Sequence, residues 1–264
     1  MTLTSATARR ESPARAAMID AAERIVAERG LTALTLRAVQ EAAGQSNKSA
    51  ANYHFGSRDG LVGAVLAERM DPIAAHRRAM LDTLDAAPPT GPEAPLRALA
   101  EAFVVPLARR VLLAPGSAYA RFLAQSLVSP ELAGLIAEHS TLFTVEETRR
   151  RMVAVLTAPG ARHGLDEETA CWRTAGLLGY VVGALAAAEA ATDGAGHSPA
   201  FPFPPRPFPP PPFSVPGAAL SPGRVTARLV DTCHGLLTAP AGPDALDLHS
   251  TVPQSTSPIR EDHP

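Results

Sequence analysis

The stretch "GQSNKSAANYHFGSRDGL", residues 44 to 61, holds the only lysine of the chain and a run of three rings, Tyr53-His54-Phe55. Upstream, Thr35 stands where a hydroxyl N-cap starts a helix, with Leu36, Val39 and Ala43 as its buried stripe and Gly44 at its end. Downstream, Ser57 is placed to cap another helix. Asp59 lies in that helix's first turn, where negative charge suits the dipole, and Leu61, Val65 and Leu66 line its inner face. Between the two, the spacing predicts a short helix over about 47–54. Two helices joined by a tight glycine turn, the second short and polar outside, make a helix-turn-helix.

The chemistry of the stretch suits DNA. A helix of this length is ~12 Å long, and the major groove is ~12 Å wide. Ser46, Ser49, Ala50 and Ala51 are small enough for close approach to base edges, and Gln45, Asn47, Lys48 and Asn52 carry hydrogen-bonding ends. Lys48 also suits a phosphate. Thr35, Arg37, Tyr53, His54 and Arg58 are candidates to grip the phosphate backbone. A solvated polar loop has the same composition, and local charge does not decide: Arg37, Lys48 and Arg58 stand against Glu41, only mildly basic.

Upstream of this unit, Ser12-Pro13 pairs an N-cap hydroxyl with proline at the first helical position. Met18, Ala22, Ile25 and Val26 follow at helical spacing, and Gly30 closes the helix. Residues 1–11 are polar and patternless, an expected flexible arm. Hydrophobic residues make up 46% of the 264, but only 5% are aromatic. That balance favours packed helices over sheet, and the expected fold class is all-α. Cys171 and Cys233 have no CxxC spacing and read as buried, reduced thiols. The N-terminus has no apolar h-region, and the longest uncharged run, between positions 173 and 189, falls short of a membrane span. A soluble, cytoplasmic protein is expected.

"AAERIVAERGLTALTLRAVQEAAG" followed by "NYHFGSRDGLVGAVL" resembles the N-terminal domain of the tetracycline-repressor (TetR) family of transcription regulators. The matching features are Gly30, Thr35, Ala43-Gly44, Tyr53-His54-Phe55 and the Ser57-to-Leu61 helix start, spread over about residues 12–70. The chain departs from the family pattern in three places. Gln45-Ser46 replaces a Val-Ser pair, one extra residue separates Gly44 from Phe55, and Gly60 stands where a good helix former is usual. The resemblance implies a homodimeric DNA-binding regulator, a repressor more than an activator, released from a palindromic operator by a small apolar effector. It also implies that Tyr53 and His54 straddle recognition helix and DNA backbone, while Phe55 anchors the core.

The expected organisation is an arm (1–11), a DNA-binding domain (12–71), a helical dimerisation and effector domain (72–240) and a disordered tail (241–264). Asp71-Pro72 should break or kink the fourth helix, and residues 86–95 read as a linker. Five further helices are expected over 94–113, 117–128, 130–157, 166–191 and 222–238. Between the last two, a proline-rich insert (194–220) contains "SPAFPFPPRPFPPPPFSVPG", expected to be extended. Gly179, Gly183, Ala187 and Ala191 recur every four residues and bare one helix face. That face is a candidate dimer seam, unless it serves close packing within one subunit. Phe103, Tyr119, Phe122, Gln125, Phe143, Trp172 and Tyr180 are candidate effector-pocket residues, though each reads more readily as ordinary core.

No nucleophile elbow, phosphate loop, dinucleotide fingerprint or zinc-protease motif is present, so no catalytic role and no cofactor is expected. The histidines show no metal spacing; His76, His139, His163 and His234 read as surface or core residues. Glu146-Glu147 and Glu167-Glu168 read as solvated ion-pair faces. An adaptor that keeps the helix-turn-helix but docks partners through its proline segment is the alternative.

Overall fold

The structure, a computed structural model, describes residues 12–47, 49–114, 116–137, 141–160, 162–192 and 221–240. Those residues form helices and connecting turns, with no strand among them. Helix α1 (Pro13–Arg29) starts where Ser12 Oγ accepts the Arg15 N–H at 3.3 Å. It ends at Gly30, whose φ of 84° lets its N–H turn back to the Val26 carbonyl. A 3-10 turn (Leu31–Ala33) leads to α2 (Leu36–Ala42), capped by Thr35 Oγ1 accepting from Ala38 N at 3.0 Å. Helix α3 spans Ala50–Phe55, and α4 spans Arg58–Ala86.

Helix α3 therefore begins three residues later than the spacing predicts. Asn47 Oδ1 accepts the Ser49 N–H at 3.0 Å, so the side chain closes a turn ahead of the helix instead of joining it. This is the usual competition of Asn and Ser side chains with helical backbone bonds.

Pro72 also behaves differently from expectation. Helix α4 runs through it for 29 residues without a break. Proline sits on the exposed side, while Met70, Ile73, Arg77 and Leu81 remain buried along the inner face. The cost of one missing N–H is offset by a continuous apolar seam. The position expected to divide two domains thus lies inside one helix.

The C-terminal bundle comprises α5 (Ala94–Leu112), α6 (Tyr119–Leu127), α7 (Pro130–Ala137), α8 (Thr141–Thr157), α9 (Glu167–Thr192) and α10 (Pro222–Thr238). The single helix expected over 130–157 is two, α7 and α8. Helix α8 opens at Thr141, a residue type that favours helix starts over interiors. Helix α1 packs on α2, α3 and α4, and also on α6 of the bundle. Within the bundle α9 packs on α6, α8 and α10, and α5 on α4, α8 and α10. A single hydrophobic core runs from Met18 to Leu237.

Two buried polar devices hold the bundle. Glu189 of α9 is buried and caps α6, accepting from Ala120 N at 3.2 Å and Arg121 N at 3.1 Å, with Arg121 Nε at 3.4 Å. Desolvation raises the Glu189 pKa above its ordinary range. Pro106 in α5 has no N–H to give the Ala102 carbonyl, and Arg77 of α4 supplies the donor instead. Its Nε lies 3.2 Å from Ala102 O, Nη2 3.2 Å from Phe103 O, and Nη1 3.1 Å from Thr144 Oγ1.

Over Glu167–Ala191, α9 is long and apolar enough to cross a membrane by length and composition, with a mean hydropathy of 1.4 in its most apolar window. Only 39% of that window is buried. The uninterrupted run in the sequence understated this, because Glu189 falls within the helix. Here α9 is a bundle helix with one uncovered side.

Candidate nucleic-acid interface

The reading unit is built from α2, the turn at Gly44, and α3. Gly44 adopts φ 64°, the left-handed conformation that a tight turn demands and glycine supplies at no steric cost. Its N–H donates to Glu41 O at 3.1 Å and the Gln45 N–H to Gln40 O at 3.0 Å, which closes α2. Ala51 and Phe55 face inward and pin α3 to the core, with the Arg15 guanidinium 5.9 Å from the centre of the Phe55 ring. Ser46, Asn47, Ser49, Asn52 and Tyr53 face out, and Tyr53 is 57% exposed. Small polar side chains and one aromatic hydroxyl are thereby gathered on one accessible surface.

Several candidate side chains have local duties. Asn47 caps the turn before α3, and Gln45 Nε2 folds back on the Ala43 carbonyl at 3.2 Å. Thr35 accepts from the backbone of α2. Arg37 is exposed and pairs with Glu41 at 2.8 Å, one turn on. His54 is half-buried and packs edge-on against Tyr53, with ring centres 5.1 Å apart. Lys48 lies outside the described residues.

Arg58 is the largest surprise. Its Nε donates to Leu34 O at 3.2 Å and Nη2 to Leu31 O at 3.1 Å, while Nη1 meets Glu131 of α7 at 3.4 Å. Arg58 ties the start of α4 to the turn between α1 and α2, a tertiary role that sequence spacing does not show. Sequence reading also missed how α4 is locked to α1. Arg69 reaches Glu23 at 2.5 Å and also Asp20, and Arg15 pairs with Glu68. Glu23 is buried, and desolvation raises its pKa despite Arg69.

Elsewhere the candidates divide. Phe103, Tyr119 and Phe122 are buried, and Tyr119 keeps its hydroxyl without a partner among the described residues. Gln125 Nε2 donates to Val26 O of α1 at 2.7 Å, a bond between bundle and reading domain. Tyr180 is half-buried, whereas Phe143 and Trp172 are 72% and 82% exposed. A groove of about 430 Å³ lies between α5 and α10, floored by Val105, Ala108, Leu112 and Val230, and none of the seven lines it.

On α9, Gly179, Ala187 and Ala191 are exposed and Gly183 is half-buried. Cys233 is buried and Cys171 half-buried, both as free thiols. Glu146 and Glu147 pair with Arg149 at 2.6 Å and Arg151 at 2.6 Å on the surface of α8. His163 and His234 both approach Glu93, at 3.4 and 3.3 Å. No group of three His, Cys, Asp or Glu residues is set to hold a metal among the described residues. His139 and the insert 194–220 lie outside them.

A glycine-turned pair of short helices, seated on an N-terminal three-helix unit and carried by a long fourth helix, defines a helix-turn-helix DNA-binding protein. Residues 18–65 match the family described as bacterial regulatory proteins, tetR family. The N-terminal domain of this chain belongs to that family, and the protein is a DNA-binding transcriptional regulator. The fold is shared with a fatty acid degradation regulator, FadR, from Bacillus halodurans, at 16% identity and a TM-score of 0.50. That match covers 87% of this chain and 96% of the other. No curated protein matches the chain.

Proposed function

We propose that the protein is a homodimeric repressor that reads a palindromic operator through α3 and releases it when a small, largely apolar effector enters the bundle. The observation that carries the reading is the outer face of the turn and α3, where Ser46, Asn47, Ser49, Asn52 and Tyr53 are exposed beside a buried Phe55. Asn52 suits a base edge and Tyr53 a phosphate, while Thr35, with its hydroxyl hydrogen still to donate, and Arg37 flank them.

The dimer rests on α9. A β carbon at Gly176, Gly179 or Gly183 would meet nothing within 4 Å among the described residues. Glycine inside a helix costs roughly 1 kcal/mol relative to alanine, and no neighbour among the described residues calls for it. A close-packed partner helix does. Two such faces, each with the exposed Trp172 at one end, fit a seam between two copies of α9, with α10 beside it. Dimers of this type place their reading helices about 34–36 Å apart, one turn of DNA. Such a protein works in the cytoplasm, beside the chromosome.

Footprinting on the DNA next to the protein's own coding sequence, with and without candidate ligands, tests the reading. A protected palindrome is the expected result. Protection that no ligand relieves would leave a DNA-binding regulator without effector control.

A further inference from the structure

Helices α5 and α10 run in opposite directions. At one end they are clamped by Arg97 on Asp231 at 2.8 Å and by His234 beside Glu93 at 3.3 Å. Toward the other end they part, and the groove of about 430 Å³ opens between Leu112 and Leu113 of α5 and Pro222 and Gly223 of α10. Its apolar lining is aliphatic, with no ring among the described residues, and Leu113 at its edge is 59% exposed. Arg97, Glu101 and Arg109 rim it. An exposed apolar surface with a polar rim marks an interaction site.

Residues 193–220, outside the described residues, lead into α10 at the mouth of this groove. Helix α9 packs on α10, and Arg173 near the start of α9 donates to the Leu237 carbonyl near the end of α10 at 3.1 Å. The end of α9 therefore runs toward the start of α10. Neighbouring helices of a bundle are joined by about 2–8 residues, so the segment is roughly twenty residues longer than the connection needs. It carries Phe201, Phe203, Phe208 and Phe213, half of the chain's eight phenylalanines.

We propose that the groove is the docking site of this chain's own proline-rich segment, with Phe208 and Phe213 seated in it and prolines 209–212 spanning between them. At ~3.1 Å per residue in the extended proline conformation, the two rings stand about 15 Å apart. The part of α10 that lines the groove, Pro222 to Val230, is about 12 Å long. A stiff proline rod loses little freedom on docking. Pro216-Gly217 is a turn pair, and it returns the chain from Phe213 to Ser221. Arg206 is the only charged residue from 198 to 217. It comes to the far end of the groove, where Glu101 shares Arg97, at 3.6 Å, with Asp231. Docked in this way, the segment braces α10 against α5 and is not presented to other proteins, which answers the adaptor alternative.

Phe213 is the one phenylalanine of the segment that no proline follows, so chymotrypsin can cut between Phe213 and Ser214. A tethered segment has an effective concentration of ~1 mM. With a Kd of ~0.1 mM for the separate peptide, about ten chains are docked for each open one. Cleavage at this bond in the full-length protein should therefore be about tenfold slower than in Phe208→Ser, which removes a ring. Ala227→Lys, which puts a charge on the exposed groove wall, should be cut as fast as Phe208→Ser. A synthetic peptide of residues 199–217 should also bind, by calorimetry, a variant with 193–220 replaced by a Gly/Ser linker, about tenfold more tightly than it binds the full-length protein. Equal cleavage rates in wild type and both variants, or no peptide binding to the folded linker variant, would overturn the proposal. Protection that is lost on dilution gives the groove to the segment of a second copy, and equal peptide affinity for the two proteins gives it to an outside partner; either result overturns the intrachain docking. If the linker variant fails to fold by circular dichroism, the cleavage rates decide alone.

Discussion

A β carbon on Gly60 would collide with the carbonyl oxygen of Phe55, the last residue of α3. The two helices of the reading head and its lever meet at this point. The Gly60 N–H is bound at 3.0 Å by the Ser57 hydroxyl, so neither backbone segment is free to retreat. Alanine is the better helix former by about 1 kcal/mol, and by propensity alone Gly60→Ala should stabilise α4. The collision reverses the sign. Gly60→Ala should lower stability and weaken operator binding at least tenfold while leaving the dimer intact, read by thermal melting and gel shift. A stabilised variant with unchanged DNA affinity would show that the contact yields freely.

Arg58 spends its donors on Leu31 O, Leu34 O and Glu131 rather than pointing away from the protein. Removing it leaves two carbonyls without their donor, a loss of about 1–3 kcal/mol. Arg58→Ala should therefore reduce the thermal stability of the reading domain and leave the salt dependence of DNA binding unchanged. A salt slope that falls by about one unit, as loss of one phosphate contact produces, would return Arg58 to the DNA surface.

Gly183→Leu tests the seam. A β carbon at Gly183 meets nothing within 4 Å among the described residues, so the variant should still fold. If α9 packs against its partner there, the variant should sediment as a folded monomer and lose operator affinity. A dimer of normal mass would place the interface elsewhere.

Glu189 offers a pH test. Burial raises its folded pKa above the ordinary carboxylate value of 4.5, so folding favours its protonated form. Its contribution is fully present below the unfolded pKa and is lost as pH rises through the folded value. Against Glu189→Gln, which does not titrate, the wild type should therefore lose relative stability as pH rises above about 4.5. Urea melts at a series of pH values measure the difference. A drift in the opposite direction would mean that the Ala120 and Arg121 donors outweigh desolvation.

The reading domain was legible because its signals are local. Ser12, Thr35 and Ser57 cap within three residues of where they stand, and Gly30 and Gly44 set turns by their own φ. The aromatic run placed Phe55 in the core for the same reason. What the sequence hid was tertiary. Arg58 finds its partners 24, 27 and 73 residues away, and Arg77 repairs a gap that Pro106 opens on another helix. Pro72 breaks nothing because an apolar seam overrides propensity. Six of the seven effector candidates are aromatic, a type shared by core and surface, and Trp172 and Phe143 are exposed.

The face of α3 makes the last prediction. Asn52 is exposed and free of the capping role that occupies Asn47 Oδ1. Asn52→Ala should cost about 1–3 kcal/mol on the specific operator and relax sequence preference, with little effect on random DNA. Asn47→Ala should act through structure, because losing the bond from Ser49 N loosens the turn ahead of α3 at a cost of about 1 kcal/mol. Binding should weaken, and the loss should be recovered by Asn47→Asp, which keeps the cap. Tyr53→Phe keeps the ring against His54 and removes only the hydroxyl, so a phosphate contact predicts equal weakening on specific and random duplexes. Lys48→Ala, measured on both duplexes at two salt concentrations, separates a base contact from a phosphate contact for that residue. If Asn52→Ala, Asn47→Ala, Tyr53→Phe and Lys48→Ala all leave DNA binding unaltered while the protein remains folded, α3 is not the recognition helix.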